Sequence, residues 1–162
     1  MITLKTLHSA TLQEIFDHVA KHLLAQNEAA KIFDEDDGTA CFYRTAEGRS
    51  CAVGCCIADD EYSYKLENIP MRRLAWLLNP NPIMEMNYNI REEIAADFAK
   101  QAGWYGASIR QDQIDLLIAL QEMHDDYVPE TMYKPPQYIF DSGLETVAER
   151  FELTYDRSKY VS

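Results

Sequence analysis

Segment 41–62, CFYRTAEGRSCAVGCCIADDEY, constrains the fold more than any other stretch, because it separates runs that have helical periodicity. It contains all four cysteines and two of the six glycines of the chain. Alternating side chains over 39–44, a turn over 46–48 and a return run over 49–53 predict a β-hairpin. Two strands alone are marginally stable in water, so this hairpin is expected to pack against helices or to gain further strands.

Helical periodicity predicts the elements around this hairpin. The first helix is expected to begin with a capping box, Thr11 with Glu14, followed by an apolar stripe. The chain lacks internal repeats and composition shifts that would mark a second domain. We therefore expect an α+β fold, a mostly helical single domain over residues 1–162 packed on a small antiparallel β-hairpin or sheet. Helices are predicted over 11–26, 70–78, 89–102, 108–125 and 141–151, and a long ordered loop over 127–140.

Net charge and hydropathy argue against two classes of binding partner, nucleic acids and membranes. The formal net charge of −12 opposes direct binding to nucleic acid, whose phosphates attract basic proteins. No apolar run approaches the roughly 20 residues that a membrane helix needs, and the first ten residues lack signal-peptide features. We expect a protein of the cytosol without a membrane partner. Its acidic surface either serves solubility or competes with nucleic acid for a basic partner.

The cysteines are expected to be thiols, since cytosolic proteins rarely contain disulfides. The adjacent pair Cys55 and Cys56 has neither zinc-knuckle nor Cys-x-x-Cys spacing, so no metal site and no cofactor are predicted. Zinc held by Cys51, Cys55 and a distant histidine is left as an alternative. His18 and His22 are interpreted as histidines at the border of the core.

A catalytic hypothesis combines Cys51, His124 and Asp125, which are the residue types of a thiol hydrolase. Neighbouring residues on a helix point about 100° apart, so Asp125 is expected to orient His124 poorly. A cysteine in a strand is also more often packed than reactive. A metal-dependent hydrolase using His124, Asp125 and Asp126 is a further enzyme alternative.

A binding surface is the other hypothesis, because aromatic side chains on loops supply rigid contact area. The chain has ten tyrosines, many of them in predicted loops. Arginines beside them could bind a phosphate group, although no glycine-rich phosphate loop is present. The candidate binding residues are Asp59, Asp60, Tyr62, Arg72, Arg73, Trp104, Tyr105 and Tyr133.

Two motifs resemble a family of small uncharacterised proteins of phages and prophages. The first is Cys-Ala-Val-Gly-Cys-Cys-Ile-Ala-Asp-Asp-Glu-Tyr at 51–62, where the family has Leu and Pro at the positions of Cys56 and Ala58. The second is Leu-Gln-Glu-Met-His-Asp at 120–125. The resemblance covers about residues 11–62 and 114–153, and it implies a viral origin without implying an activity.

These features together predict a non-enzymatic, phage-encoded accessory protein. We expect it to bind and block or sequester a cytosolic host target, either a defence or regulatory protein or a small nucleotide signal. The alternatives are the hydrolase using Cys51, His124 and Asp125 and an acidic mimic of nucleic acid. Homo-oligomer formation is left open.

Overall fold

The computed structural model describes residues 2–34, 38–67, 69–78, 97, 99–101, 103, 108–126 and 140–161. Most of this part of the chain is helical. Its longer helices are α1 (Leu12–Gln26), α2 (Met71–Leu78), α3 (Gln111–Asp125) and α4 (Asp141–Arg150). Short 3-10 helices cover Leu7–Ser9, Gly54–Cys56, Asp59–Glu61, Tyr64–Leu66 and Arg157–Lys159.

Helix α1 begins as its sequence predicts. The Thr11 hydroxyl accepts the Glu14 backbone N–H at 3.2 Å, and the Glu14 carboxylate accepts the Thr11 backbone N–H at 2.8 Å. These reciprocal bonds satisfy two backbone donors that a helix start leaves without intrahelical partners. The helix ends at Asn27, whose φ of 51° is left-handed. Its buried residues are Ile15, Phe16, Val19, Ala20, Leu23 and Leu24.

Helix α3 is the central element, as its apolar middle predicts. It packs against α1, α2 and α4, and Leu116, Leu117 and Leu120 are fully buried within the core. Gln113 is also fully buried, and its side-chain amide donates to the carbonyls of Leu7 and Ala10 at 2.9 and 2.7 Å. A buried amide is tolerated because it is hydrogen-bonded. Here it joins α3 to the turn that precedes α1.

The α+β prediction is wrong, and the expected hairpin over 39–53 does not form. Only an isolated bridge joins Arg44 and Ser50. A short antiparallel ladder of β1 (Lys31–Asp34) and β2 (Gly38–Cys41) lies earlier in the chain, with Lys31 opposite Cys41. The helices pack on one another rather than on a sheet. The fold is therefore helical. The two short strands do not form a separate β-layer against which the helices pack.

Side-chain acceptors explain why the hairpin is absent. The backbone N–H groups of Tyr43 and Arg44 donate to Glu67, and that of Ser50 donates to Gln26. Buried backbone donors need a partner, which a strand normally finds in its neighbour. Here distant side chains provide those partners, so residues 42–53 do not pair with one another as the strands of a hairpin.

The other helix predictions differ in outcome. Those over 70–78, 108–125 and 141–151 correspond to α2, α3 and α4, each beginning or ending within three residues of its expected limits. The helix over 89–102 falls mainly outside the described residues, of which 97 and 99–101 are helical. The loop over 127–140 lies outside them except for Phe140. Within the described part, no helix combines the length and the apolar character required to cross a membrane.

Candidate functional site

Glu67 holds the two ends of segment 41–62 together. One carboxylate oxygen accepts the backbone N–H of Tyr43 at 2.9 Å. The other accepts the backbone N–H of Arg44 at 3.0 Å and the phenol of Tyr62 at 2.8 Å. Arg44 also lies over the Tyr62 ring, 4.9 Å from its centroid. Hydrogen bonds to an ionised acceptor are stronger than those between neutral groups. Glu67 therefore stabilises the conformation of segment 41–62.

Gly54 permits a close approach inside the same segment. A Cβ at this position would lie 1.9 Å from the carbonyl oxygen of Tyr43, so only glycine fits. The backbone N–H of Gly54 donates to the sulfur of Cys51 at 3.2 Å. The N–H of Val53 donates to the Gln121 side chain of α3 at 3.1 Å. The motif at 51–62 therefore serves the packing of the chain against α3.

A cavity of about 180 Å³ lies between this segment and α3. Burial and a hydrogen bond to Asp125 raise the pKa of the Cys41 thiol to about 11. Burial also raises the pKa of Tyr43, whose phenol donates to the Ile69 carbonyl at 2.6 Å. The cavity is therefore small and holds protonated thiol and phenol groups at neutral pH. Its polar or thiol-bearing lining consists of Cys41, Tyr43, Cys51, Glu67, Gln121 and Asp125.

His124 is fully buried, and both of its ring nitrogens are occupied. Nε2 accepts the backbone N–H of Ala30 at 3.0 Å, so the ring proton is on Nδ1. Nδ1 donates to the Asp125 carboxylate at 3.0 Å, which corrects the expectation that Asp125 would orient this ring poorly. The ring also stacks on Phe140. His124 has no nitrogen left to accept a proton from a cysteine.

Cys51 also lacks the environment of a nucleophile. It is 1% exposed, and burial raises the pKa of its thiol well above the usual range. A reactive cysteine needs a thiolate, which nearby positive charge or an adjacent base favours. Cys51 and Asp125 both line the cavity, but the base that would connect them is bonded elsewhere. The three residues do not form the relay that the thiol-hydrolase hypothesis requires.

The predicted binding residues near the motif lie at the surface. The Asp59 side chain is 97% exposed and pairs with Arg44 at 2.6 Å. Asp60 is exposed, and Tyr62 is half-buried. Tyr64 is one of the tyrosines of the binding-surface hypothesis but is not among its candidate residues; it is 75% exposed and lies in the next turn.

The remaining candidates do not gather around this surface in the described residues. Arg72 is exposed and pairs with Glu122 of α3 at 2.8 Å, and Arg73 is half-buried on α2. The other predictions fall outside the described residues, namely Trp104, Tyr105 and Tyr133.

Sequence reasoning missed the residues that connect distant parts of the chain. Glu67 lies in no motif, and Gln121 belongs to the motif at 120–125, but nothing in the spacing of either residue indicates its partners. His18, Cys55 and Cys56 lie together, although the histidine is 37 residues from Cys55. The only available signals were the adjacent cysteines and a histidine at the border of the α1 stripe.

The chain was also compared with known proteins. No family model matches the chain, and neither a curated protein nor a solved structure is significantly similar to it.

Proposed function

We propose that this protein is a non-enzymatic accessory protein of phage or prophage origin, which binds a positively charged surface of a host protein in the cytosol. The phage origin rests on the motif at 51–62. The mode of action rests on one contrast. The candidate catalytic groups are engaged in internal bonds, whereas Asp59 and Asp60 of segment 41–62 and the nearby Tyr64 are exposed to solvent.

The exposed side chains form a short acidic surface, which consists of Asp59, Asp60 and Tyr64. Its two carboxylates and its 75% exposed tyrosine lie within six consecutive residues. Tyrosine contributes large contact area at low entropic cost, and carboxylates complement lysine and arginine. The net charge of −12 attracts a basic partner over a longer range.

A nucleotide ligand receives less support from the cavity between segment 41–62 and α3. Its volume of about 180 Å³ is below the roughly 300–1,000 Å³ of typical ligand sites. The described residues that line it include two carboxylates, Glu67 and Asp125, and no lysine or arginine. This lining would repel a phosphate group. We therefore favour a protein partner.

Affinity capture with matched surface variants tests the proposal. The bait is the full chain, incubated in bacterial lysate at low and moderate salt, with captured proteins quantified by mass spectrometry. The triple variant Asp59→Asn, Asp60→Asn, Tyr64→Ala should lose the specific partner. The control Glu145→Gln, Glu149→Gln removes two exposed carboxylates from α4 and should retain it.

A purified partner then gives the decisive measurement. We expect its dissociation constant to rise at least about tenfold for the triple variant and to increase with salt concentration, as for charge-complementary interfaces. Equal affinity of the triple variant and the wild type would contradict the acidic surface. Substrate turnover that Cys51→Ala abolishes would contradict the non-enzymatic function itself.

A further inference from the structure

Three metal-ligating side chains from distant parts of the chain meet beside α1. They are His18 of α1 and the adjacent residues Cys55 and Cys56. One potential ligand atom from each lies within 4.8 Å of the other two. Ligand atoms around a tetrahedral zinc ion are separated by roughly 3.5–3.8 Å, as zinc–sulfur and zinc–nitrogen bond lengths of about 2.3 and 2.0–2.1 Å require. Small side-chain rotations would therefore close the cluster around one ion.

The backbone around the two cysteines is well supported. The Cys56 carbonyl accepts the Leu4 N–H at 2.7 Å, and the Cys56 N–H donates to Val53 at 2.9 Å. The Cys55 N–H donates to the Cys51 carbonyl at 3.1 Å. The 3-10 helix Gly54–Cys56 packs against α1, which carries His18. The ligands are thus positioned by the fold before any ion binds, which reduces the entropic cost of binding.

The His18 ring makes a hydrogen bond of the kind that metal-bound histidines make. Its Nε2 lies 3.2 Å from the Cys55 carbonyl oxygen, which can only accept a hydrogen bond. Nε2 therefore carries the proton, and Nδ1 keeps an unprotonated lone pair in the neutral ring. Metal-binding histidines usually donate their second ring nitrogen to a carboxylate or a backbone carbonyl. Here that carbonyl belongs to one of the other two ligands.

Solvent can reach the cluster from one side. His18 and Cys55 are half-buried, whereas Cys56 is buried. His18 also lines an open cleft of about 460 Å³, together with Glu14, Asp17 and Lys21. The cleft reaches the cluster at His18, and a water molecule could complete a four-coordinate shell around an ion bound there.

We propose that His18, Cys55 and Cys56 form a binding site for a soft, thiophilic metal ion, with Zn²⁺ as the representative ion. Two thiolates and an imidazole select Zn²⁺ or Cu⁺ over Mg²⁺ and Ca²⁺, which prefer oxygen ligands. A shell of three protein ligands and one water is also that of accessible zinc sites. The sequence analysis left zinc at Cys51, Cys55 and a distant histidine only as an alternative, and the cluster differs from it in containing Cys56 instead of Cys51. The site is independent of the acidic surface 59–64.

Binding must displace protons. A thiol must lose its proton before it can bind a metal ion, so an ion competes with protons at the two cysteines. The apparent affinity for Zn²⁺ should increase as pH rises from about 6 to about 8.

Zinc competition with matched variants tests the ligand assignment. The reduced, chelator-treated full chain is titrated with Zn²⁺ in the presence of a chromophoric chelator. We expect one ion per chain. Cys55→Ser, Cys56→Ser and His18→Gln should each weaken binding at least about tenfold, since changing even an outer partner of a ligand typically costs 10–100-fold.

Two control variants separate this site from general thiol or histidine binding. Cys41→Ser removes a half-buried thiol outside the cluster. His22→Gln removes a histidine one turn along α1, whose Nε2 also contacts a backbone carbonyl, that of Ser50 at 3.0 Å. Both variants should bind Zn²⁺ as the wild type does. Loss of binding in a control but not in the cluster variants would overturn the assignment.

Cobalt substitution gives a readout that does not depend on variants. Co²⁺ bound to the wild type should give the absorption of a tetrahedral ion and a charge-transfer band from thiolate ligands. Titration with Cu⁺ in the same competition format distinguishes a copper site from a zinc site. Absence of detectable competition by either Zn²⁺ or Cu⁺, or a cobalt spectrum without thiolate bands, would overturn the proposal. Circular dichroism of each variant verifies that a loss of binding is not a loss of folding.

Discussion

At the scale of single residues, buried polar side chains in this protein mainly satisfy backbone groups. His124 accepts the N–H of Ala30, and Gln113 donates to the carbonyls of Leu7 and Ala10. An unsatisfied buried donor or acceptor costs more than a typical hydrogen bond contributes. The histidine that resembles a catalytic base in the sequence is therefore a structural residue.

Replacement of His124 tests this role. His124→Phe keeps a ring for stacking on Phe140 but leaves the Ala30 N–H without its acceptor. We expect a loss of about 1–3 kcal/mol in the free energy of unfolding, measured by urea denaturation. The control His8→Phe changes an exposed histidine and should stay within about 0.5 kcal/mol. Equal losses in the two variants would contradict the structural role.

His22 provides a prediction about pH. Burial lowers the pKa of this imidazole, whose Nε2 contacts the Ser50 carbonyl. The unfolded chain binds a proton at His22 near pH about 6.5, whereas the folded chain binds it only at lower pH. The contribution of neutral His22 to stability is present above about pH 6.5 and is lost as pH falls from there through the folded pKa.

His22→Gln should therefore reduce the loss of stability between about pH 7.5 and 5.5, because glutamine can donate to Ser50 without titrating. Urea denaturation at both pH values measures the difference. The matched control His8→Gln removes an exposed histidine and should leave the pH dependence of the wild type unchanged. If the stability of His22→Gln depended on pH more steeply than that of the wild type, the pKa of His22 would not be lowered by folding.

At the scale of elements, segment 41–62 is stabilised from outside rather than by its own strand pairing. Glu67 accepts the N–H groups of Tyr43 and Arg44, and Gln121 accepts that of Val53. The 3-10 helix Gly54–Cys56 then contacts α1. The segment connects α1 and α3 as an irregular but ordered element.

Glu67→Ala tests whether the segment depends on this carboxylate. The change removes the acceptor of two backbone donors and of the Tyr62 phenol. Because hydrogen bonds to charged groups contribute about 1.5–3 kcal/mol, we expect a loss of at least about 2 kcal/mol in the free energy of unfolding. Glu122→Ala, which removes an exposed pair with Arg72, should cost less than about 1 kcal/mol. A loss for Glu67→Ala no larger than for this control would contradict the assignment.

At the scale of the whole molecule, the charge balance should influence the stability of the folded state. The chain has 27 acidic and 15 basic residues, apart from histidine. The surface ion pairs are individually weak, such as that of Arg72 and Glu122, whose side chains are 73% and 52% exposed. The excess negative charge should therefore oppose the compact state through self-repulsion.

Salt should consequently stabilise the folded protein. Raising NaCl from about 0.01 M to about 0.15 M shortens the Debye length from about 30 Å to about 8 Å and weakens this repulsion. We expect the melting temperature, measured by circular dichroism, to rise. Glu145→Lys with Glu149→Lys changes the net charge from −12 to −8 and should show a smaller rise. A melting temperature that falls with NaCl would mean that ion pairs outweigh the repulsion.

Local patterns in the sequence predicted the helices well, because their causes are local. The capping box of Thr11 and Glu14 marks the start of α1, and apolar spacing identifies α3 as central. The net charge, which is also read from the sequence, is one basis of the proposed basic partner. These features depend on residues within a few turns of one another.

Contacts between distant residues were decided only by the tertiary structure. Alternation over 39–53 predicted strands, but Glu67, Gln26 and Gln121 supply the acceptors that a strand partner would have provided. Local patterns also did not show that His18, Cys55 and Cys56 lie together, because His18 is 37 residues from Cys55 in the sequence. The sequence by itself determined where the four longer helices of the described residues form. Packing determined which polar groups meet, because that depends on long-range contacts that no local pattern encodes.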